Sequence, residues 1–379
     1  LWIRTPYTAQ YFSQFVAAAE EIEGVRENED GMLEARFMAD IGDDALFFSP
    51  RVELPFVDEV DEEEDLPYAE EQIAQLYNLL PDIGPDIVSS GCEKLCRVHL
   101  TRVELRADCD DRQLRQIVDY VARRPEITDA VLRTETDLPD SQDEIERIVH
   151  ALRADTDVRS FRMRSRVFHD EPLLYDATVV ERYAGLQSLE VADPVRFELE
   201  TLVLSADQLE DAHRRVVEAF HQHGVTVYLN SCLLHNVNDS AAAMRALSSK
   251  CRRFGFEFHH LYVAGAQTQR HWNSGRPVDL DTIIGIATEL RRNGSGRELP
   301  RLIVSTELGE VDFGPGCHIR RGPERGTAEI TLWPYTLDYF RAMEPAFNWP
   351  DGVREDRGHP VITMPGLRCG YRWGPSRCP

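Results

Sequence analysis

The chain has 379 residues and a formal net charge of -24, with 66 acidic against 42 basic side chains. Only Lys94 and Lys250 among the basic residues are lysines. A surface so acidic repels nucleic acid and anionic membranes, which excludes both as partners, and its self-repulsion calls for the screening that high salt provides, as in a salt-adapted cytoplasm.

No apolar run reaches the roughly 20 residues a membrane span needs, and no signal peptide opens the sequence. Eight cysteines in a chain of this length are too sparse for a disulfide scaffold. The expected location is therefore a reducing cytoplasm. A small amino acid-like molecule and a second copy of the chain are left as candidate partners.

In chain order, a helix is expected from about Thr8, with Phe12, Phe15, Val16, Ala19 and Ile22 on one face and Gly24 as its stop. Short β-like pieces fill residues 25–57. Asp58–Asp65 is an acidic run that reads as a solvated linker. A second amphipathic helix carries Ile73, Leu76, Tyr77 and Leu80. Residues 1–85 are thus expected to form a helical extension.

From Asp86 the rhythm becomes βα. Asp86–Ser89 reads as a first strand that delivers the stretch Cys92-Glu-Lys-Leu-Cys96-Arg-Val-His99-Leu-Thr-Arg102. Thiolate and imidazole donors at this spacing can converge on one metal or cluster from a single loop. Zinc is the alternative to iron, with Cys109 as a fourth donor. Leu114, Ile117, Val118 and Val121 then form a helical stripe, repeated by Ile145, Ile148, Val149 and Leu152.

Strands are expected at Ala130–Arg133, Val158–Arg164, Glu198–Leu204, Val225–Leu234, Phe256–Val263 and Arg301–Ser305. Helices begin near Asp176, Ser205, Asp239 and Asp279, and Gly224 and Gly255 sit at helix C-termini. Six or seven such units predict a parallel sheet under a helical layer, with its active face at the strand C-termini. His259 and His260 are expected to face opposite ways as neighbours on a strand. Residues 86–316 form this domain. Residues 317–379 add one strand, Glu329–Trp333, and a loop-rich tail with Cys369 and Cys378.

Several ordered blocks between Arg4 and Gly314 resemble the lysine 2,3-aminomutase family of radical S-adenosylmethionine enzymes. Arg4-Thr-Pro-Tyr7 is similar to the family's entry helix, and Cys92–Arg102 to its C-x3-C-R-x-C-x-R-R loop. Arg124–Leu132 followed by Asp137-Leu-Pro139 is similar to the stretch holding its Gly-Gly-Asp motif, which reads Glu135-Thr136-Asp137 here. Arg162-Met-Arg-Ser-Arg-Val167 resembles the next strand. His223-Gly-Val-Thr-Val and Asn230–Asp239 resemble A-G-I-P-L and Q-S-V-L-L-R-G-V-N-D.

The resemblance implies a partial parallel (β/α) barrel. It implies a [4Fe–4S] cluster held by Cys92, Cys96 and His99, the last standing where the family has cysteine. It also implies S-adenosylmethionine contacts from Asp137, Ser165, Arg166 and Asn230. Arg102, like Arg97 and Arg166, is a candidate for a substrate carboxylate. For Asp137 the alternative is a helix N-terminal acid, for Asn230 a satisfied polar group, and for the arginines surface ion pairs.

The family's pyridoxal phosphate needs a lysine in a glycine-rich loop after the last strand, and Ser305–Gly316 has none. That argues against pyridoxal phosphate and against ordinary lysine aminomutase activity. The aspartates that would grip a substrate ammonium align with Gly265 and Ser305. Two readings follow: a cluster-binding enzyme of altered chemistry on an amino acid-like substrate, or a non-catalytic relative that keeps the barrel and acts by binding.

Overall fold

The computed structural model describes residues 90–97, 99–134, 138–165, 168, 171–188, 194–266, 269, 272–273, 278–296, 298–323, 327–365 and 367–368, with the backbone of 2–4, 22–27 and 33–37. Contacts divide the chain into two compact units, Leu1–Pro67 with Gly370–Pro379, and Tyr68–Cys369.

In the first unit, strands β1 (Trp2–Arg4), β2 (Ile22–Glu27) and β3 (Leu33–Phe37) form an antiparallel sheet in the order β1-β3-β2. Ile22 and Gly24, expected on a helix face and at its stop, both lie in β2. The rest of that helix, the acidic run, the second helix and the expected strand Asp86–Ser89 fall outside the described residues.

The second unit is organised by a nine-stranded sheet. Its parallel strands are β5 (Arg102–Arg106), β6 (Asp129–Arg133), β7 (Ser160–Ser165), β8 (Arg196–Leu202), β9 (Thr226–Cys232), β10 (Glu257–Ala264) and β12 (Arg301–Thr306). Two antiparallel strands close its edges, β4 (Leu95–Arg97) against β5 and β13 (Gly309–Asp312) against β12. The sheet curls into a half-barrel, as the βα rhythm predicts.

Helices cover its outer face: α1 (Asp111–Ala122), α2 (Gln142–Asp155), α3 (Ala177–Ala184), α4 (Asp211–Gln222), α5 (Ala241–Phe254) and α6 (Leu280–Asn293). Their starts are fixed by local chemistry. Asp110 and Gln113 form a reciprocal capping box at α1, while Asp176, Ser240 and Asp279 cap α3, α5 and α6. Ser205 caps a single 3₁₀ turn, and α4 begins later, after Glu210. Gly255 ends α5 at φ 88°, a left-handed value that a side chain would strain.

The apolar stripes land as the periodicity requires. Ile117, Ile145, Ile148 and Leu152 are fully buried against outward strand residues such as Val103, Leu105, Leu132, Phe161 and Met163. The alternate strand residues face the concavity, and many of these are charged.

Beyond β13 the chain is more regular than the sequence suggested. Strands β14 (Cys317–Arg321), β15 (Thr327–Leu332), β16 (Arg354–Asp356) and β17 (His359–Pro365) form an antiparallel sheet in the order β14-β15-β17-β16. Helix α7 (Leu337–Met343) follows β15, and Phe340, Phe347 and Trp349 pack on one another beneath it. A parallel pair, β11 (Val278–Asp279) with β18 (Leu367–Arg368), ties the start of α6 to the end of this region. Cys369 and Cys378 lie outside the described residues. No helix among the described residues is long and apolar enough to cross a membrane.

Candidate functional site: a charged half-barrel interior

The Cys/His stretch does not form a loop beyond a first strand. Residues 95–97 are themselves the edge strand, paired antiparallel with β5, with Leu95 opposite Leu105, Cys96 opposite Glu104 and Arg97 opposite Val103. Short-range bonds dictate this hairpin. Ser90 Oγ donates to the Leu95 carbonyl at 2.7 Å and accepts from the Cys92 amide at 3.2 Å. Buried Arg97 donates to the Leu100 carbonyl at 2.7 Å and to Glu126 at 2.9 Å. Tyr339 Oη accepts from the Leu100 amide at 3.2 Å.

The consequence is geometric. Cys92 sits beside the C-terminal end of β5, and His99 sits in the turn at its N-terminal end. The two are separated by the length of β5, five residues at about 3.3 Å each, or roughly 13–17 Å. Cys96 lies between them on the concave side. His99 is exposed, and its Nδ1 accepts from the Thr101 amide at 3.3 Å. Burial and then Arg102 push its pKa down, so it stands neutral. Cys109 shares the rim of Cys92, but its Sγ faces the Arg147 guanidinium at 3.8 Å.

Among the described residues, no three His, Cys, Asp or Glu side chains are placed to hold a metal. The donor set of Cys92, Cys96 and His99 therefore does not fit a shared cluster or zinc ion in this arrangement.

The other expected contacts are similarly occupied. Ser165 turns outward into the helical layer, where its Oγ accepts from Tyr175 Oη at 2.5 Å and from the Phe168 amide at 3.0 Å. Asn230 is buried, and its Oδ1 accepts from the His260 amide at 3.1 Å. That amide has lost its strand partner because the pairing of β10 with β9 slips between Phe258 and His260. Asn230 thus repairs a β-bulge. Asp137 and Arg166 lie outside the described residues. Of the lysines, Lys94 is paired with Asp108 at 2.7 Å, and Lys250 lies over the Phe254 ring at 5.6 Å.

The expected loop after the last strand is the tight hairpin of β12 and β13. Glu310 accepts from Tyr262 Oη at 2.9 Å, and Asp312 pairs with Arg301 at 2.8 Å. The Cβ that any side chain would add at Gly265 (φ +88°) would lie 1.8 Å from the Ser305 carbonyl oxygen. Gly265 is therefore packed against the backbone of Ser305, and no side chain, a carboxylate included, fits at position 265.

The concave face instead carries an ion ladder. In order, Arg133 meets Glu104 at 3.0 Å, Glu104 meets Arg164 at 3.5 Å, Arg164 meets Glu200 at 2.7 Å, and Glu200 meets Arg162 at 3.5 Å. Arg162 then meets Glu198 at 3.2 Å, and Glu198 meets Arg196 at 2.5 Å. Four arginines thus share three glutamates. Burial alone would raise the Glu200 and Glu104 carboxyls, but Arg164 together with Arg162 or Arg133 outweighs it, holding Glu200 well below its ordinary value and lowering Glu104 as well.

Arg133, at the ladder's end, is under-compensated. Burial and the neighbouring Arg164 lower its pKa to about 10 against the pull of Glu104. Beside the ladder, the His259 and His260 rings stack at 3.8 Å, with His259 also on Tyr228 at 4.9 Å. Both histidines face the concavity because the bulge rotates one out of the usual alternation, which corrects the expectation that they diverge. Burial and then His259 drive His260 down to about 3, so it is neutral.

The signal for this ladder is present in the sequence. Arg162-Met-Arg164 and Glu198-Leu-Glu200 alternate charge with apolar residues, whereas buried parallel strands are ordinarily apolar on both faces.

The chain is similar to curated L-lysine 2,3-aminomutases. It is 22% identical to that of Fusobacterium nucleatum over 302 residues, 77% of this chain and 67% of that protein. The enzyme of Escherichia coli matches 57% of this chain and 61% of its own length at 24% identity, and that of Clostridium subterminale 62% and 54% at 23%. The chain thus spans little more than half to two thirds of these relatives. No known family profile matches it. Two solved structures show a looser likeness. One is a type I 3-dehydroquinate dehydratase from Clostridium difficile (10% identity, TM-score 0.35, 52% of this chain and 73% of that one). The other is QR15, an aldolase (13%, 0.24, 52% and 86%).

Proposed function

We propose that this protein is a lysine 2,3-aminomutase relative that acts by binding. It keeps the half-barrel and uses the charged interior to hold a small, carboxylate-bearing, amino acid-like ligand. The observation that carries this reading is Arg133, a buried cation with only half a carboxylate to itself, at the C-terminal end of a barrel strand. An incoming carboxylate supplies the missing charge. Glu104 holds Arg133 in place through their 3.0 Å pair. Neutral His259 and His260 line the same concavity without adding charge.

The cluster-bearing enzyme is the second reading, supported by the similarity to aminomutases. The hairpin that separates Cys92 from His99 weighs against it, and we derive no step through iron or S-adenosylmethionine. The test is calorimetric titration of iron-free protein in molar potassium chloride with amino acids and simple carboxylates. The expected result is saturable binding of a carboxylate-bearing compound, lost in Arg133→Gln and indifferent to S-adenosylmethionine. Binding that appears only after cluster reconstitution contradicts it.

A further inference from the structure

The nine-stranded sheet has β4 and β13 as its two edges, and among the described residues no backbone ladder joins them. One short segment of the C-terminal region reaches both sides of this seam. Tyr335 Oη donates to the carbonyl of Glu310 on β13 at 2.8 Å, and Tyr339 Oη accepts from the Leu100 amide, just ahead of β5, at 3.2 Å. The two rings lie 5.4 Å apart. Thr336, the N-cap of α7 between them, accepts from the Tyr339 amide at 3.2 Å and so fixes where that ring stands. The charge of Arg102 on β5 reaches both tyrosines, and that of Glu310 on β13 reaches His99. The two sides of the seam thus meet at this pair of rings.

The two attachments differ in strength. Tyr335 is 5% exposed and packs against Phe340 within the main core. It also lies so close to the turn between β12 and β13 that a Cβ at Gly309 (φ +129°) would come within 2.5 Å of its hydroxyl. Tyr339 is only half-buried, and it holds the other side through the Leu100 amide and an edge contact with the His99 ring at 6.1 Å. Segments held by few buried contacts open locally at a fraction of the cost of global unfolding. The shut arrangement also carries a cost of its own, because Arg102 Nε is closed off from water with no hydrogen-bond partner. Water that reaches this nitrogen on opening offsets part of the lost Tyr339 bond.

We infer that Tyr335 and Tyr339 form a clasp across the seam of the half-barrel, hinged at Tyr335 and released at the Tyr339–Leu100 contact, and that its opening admits small molecules to the concavity from the side. The clasp works in the same way whatever the interior binds. Cys96 reports on it. The residue lies on β4 directly opposite Glu104, a member of the ion ladder, and opposed residues on antiparallel strands share a face. Its thiol therefore stands on the concave wall beside the seam, and it is 1% exposed with the clasp shut.

The test is alkylation by N-ethylmaleimide, itself the size of a small ligand, in molar potassium chloride at neutral pH, with each modified cysteine mapped by mass spectrometry. Tyr339→Phe removes a bond made only in the shut form and leaves the Leu100 amide unmet there. It is expected to speed the reaction of Cys96 at least about fivefold over wild type. Cys251, equally buried but on α5 in the outer helical layer, is expected to keep its wild-type rate. Tyr335→Phe, on the hinge side, keeps its packing against Phe340 and is expected to change the Cys96 rate less than about twofold. Thermal melts check folding.

An unchanged Cys96 rate in folded Tyr339→Phe overturns the inference. So does acceleration of Cys96 and Cys251 together, which marks general destabilisation, or a larger effect from Tyr335→Phe than from Tyr339→Phe. If Tyr339→Phe does not fold, hydrogen exchange of the wild-type protein decides. A Leu100 amide that exchanges well before the amides of β6 and β7 supports the clasp, and one that exchanges only together with them overturns it.

Discussion

Glu200 is the keystone of the ladder, and Glu200→Gln tests whether the ladder holds the half-barrel together. The carboxylate meets Arg164 at 2.7 Å and Arg162 at 3.5 Å, with its side chain 6% exposed. Removing one partner of a buried pair costs about 3–5 kcal/mol, because the surviving charge is stranded. Here the cost is smaller, for two reasons. Arg164 retains Glu104 and Arg162 retains Glu198, and both arginines keep about a fifth of their side chains in water. We expect about 2–3 kcal/mol, which for a unit of this size lowers the melting temperature by about 3–5 °C.

The pH dependence adds a second check. The folded carboxyl is depressed relative to the unfolded one, so its stabilisation is present above an unfolded value of about 4.3 and fades as pH falls below it. The gap between wild type and variant should therefore be full at pH 7 and shrink below pH 4. Denaturant unfolding followed by circular dichroism reads both, and a cycle with Arg164→Met isolates the pair. A penalty under about 0.5 kcal/mol, or one that does not change with pH, refutes the reasoning.

Three further outcomes are expected. His260, held neutral at about 3 in the fold against about 6.5 unfolded, contributes stability at pH 7 that is lost as pH falls from 6.5. Unfolding curves for wild type should show a loss of about 2 kcal/mol between pH 6.5 and 4.5 that His260→Asn lacks. Gly265→Ala should destabilise by at least about 2 kcal/mol in a thermal or urea melt, since a methyl 1.8 Å from the Ser305 carbonyl forces the backbone apart. Raising potassium chloride from dilute to molar should raise the melting temperature through screening of the -24 net charge, and an unchanged melt refutes the salt-adapted reading.

Much of the fold was legible because its signals are local. The stripes Leu114–Val121 and Ile145–Leu152, the caps at Asp176 and Asp279 and the turn glycine Gly255 each fix an element without reference to the rest of the chain. The strand β5 was missed because Val103 and Leu105 are its buried pair, set between arginines in a segment that reads equally well as loop. That omission moved the whole Cys/His stretch, since a hairpin in place of a loop carries Cys92 and His99 to opposite ends of a strand. The histidine pair was misjudged because strict alternation fails at a bulge, and nothing in Phe258-His-His announces one. Asn230 and Ser165 were singled out as S-adenosylmethionine contacts, and the groups that engage them in the structure, a slipped amide and Tyr175, lie 30 and 10 residues away in sequence, beyond the reach of a local reading.

Electron paramagnetic resonance of the full-length protein tests the central claim most directly. The sample is reconstituted anaerobically with iron and sulfide in molar potassium chloride and reduced with dithionite. Spectra are recorded with and without S-adenosylmethionine. With Cys92 and His99 held at opposite ends of β5, the account predicts no cluster signal and no change on adding S-adenosylmethionine. A reduced [4Fe–4S] signal that shifts with S-adenosylmethionine and disappears in Cys96→Ala would contradict it.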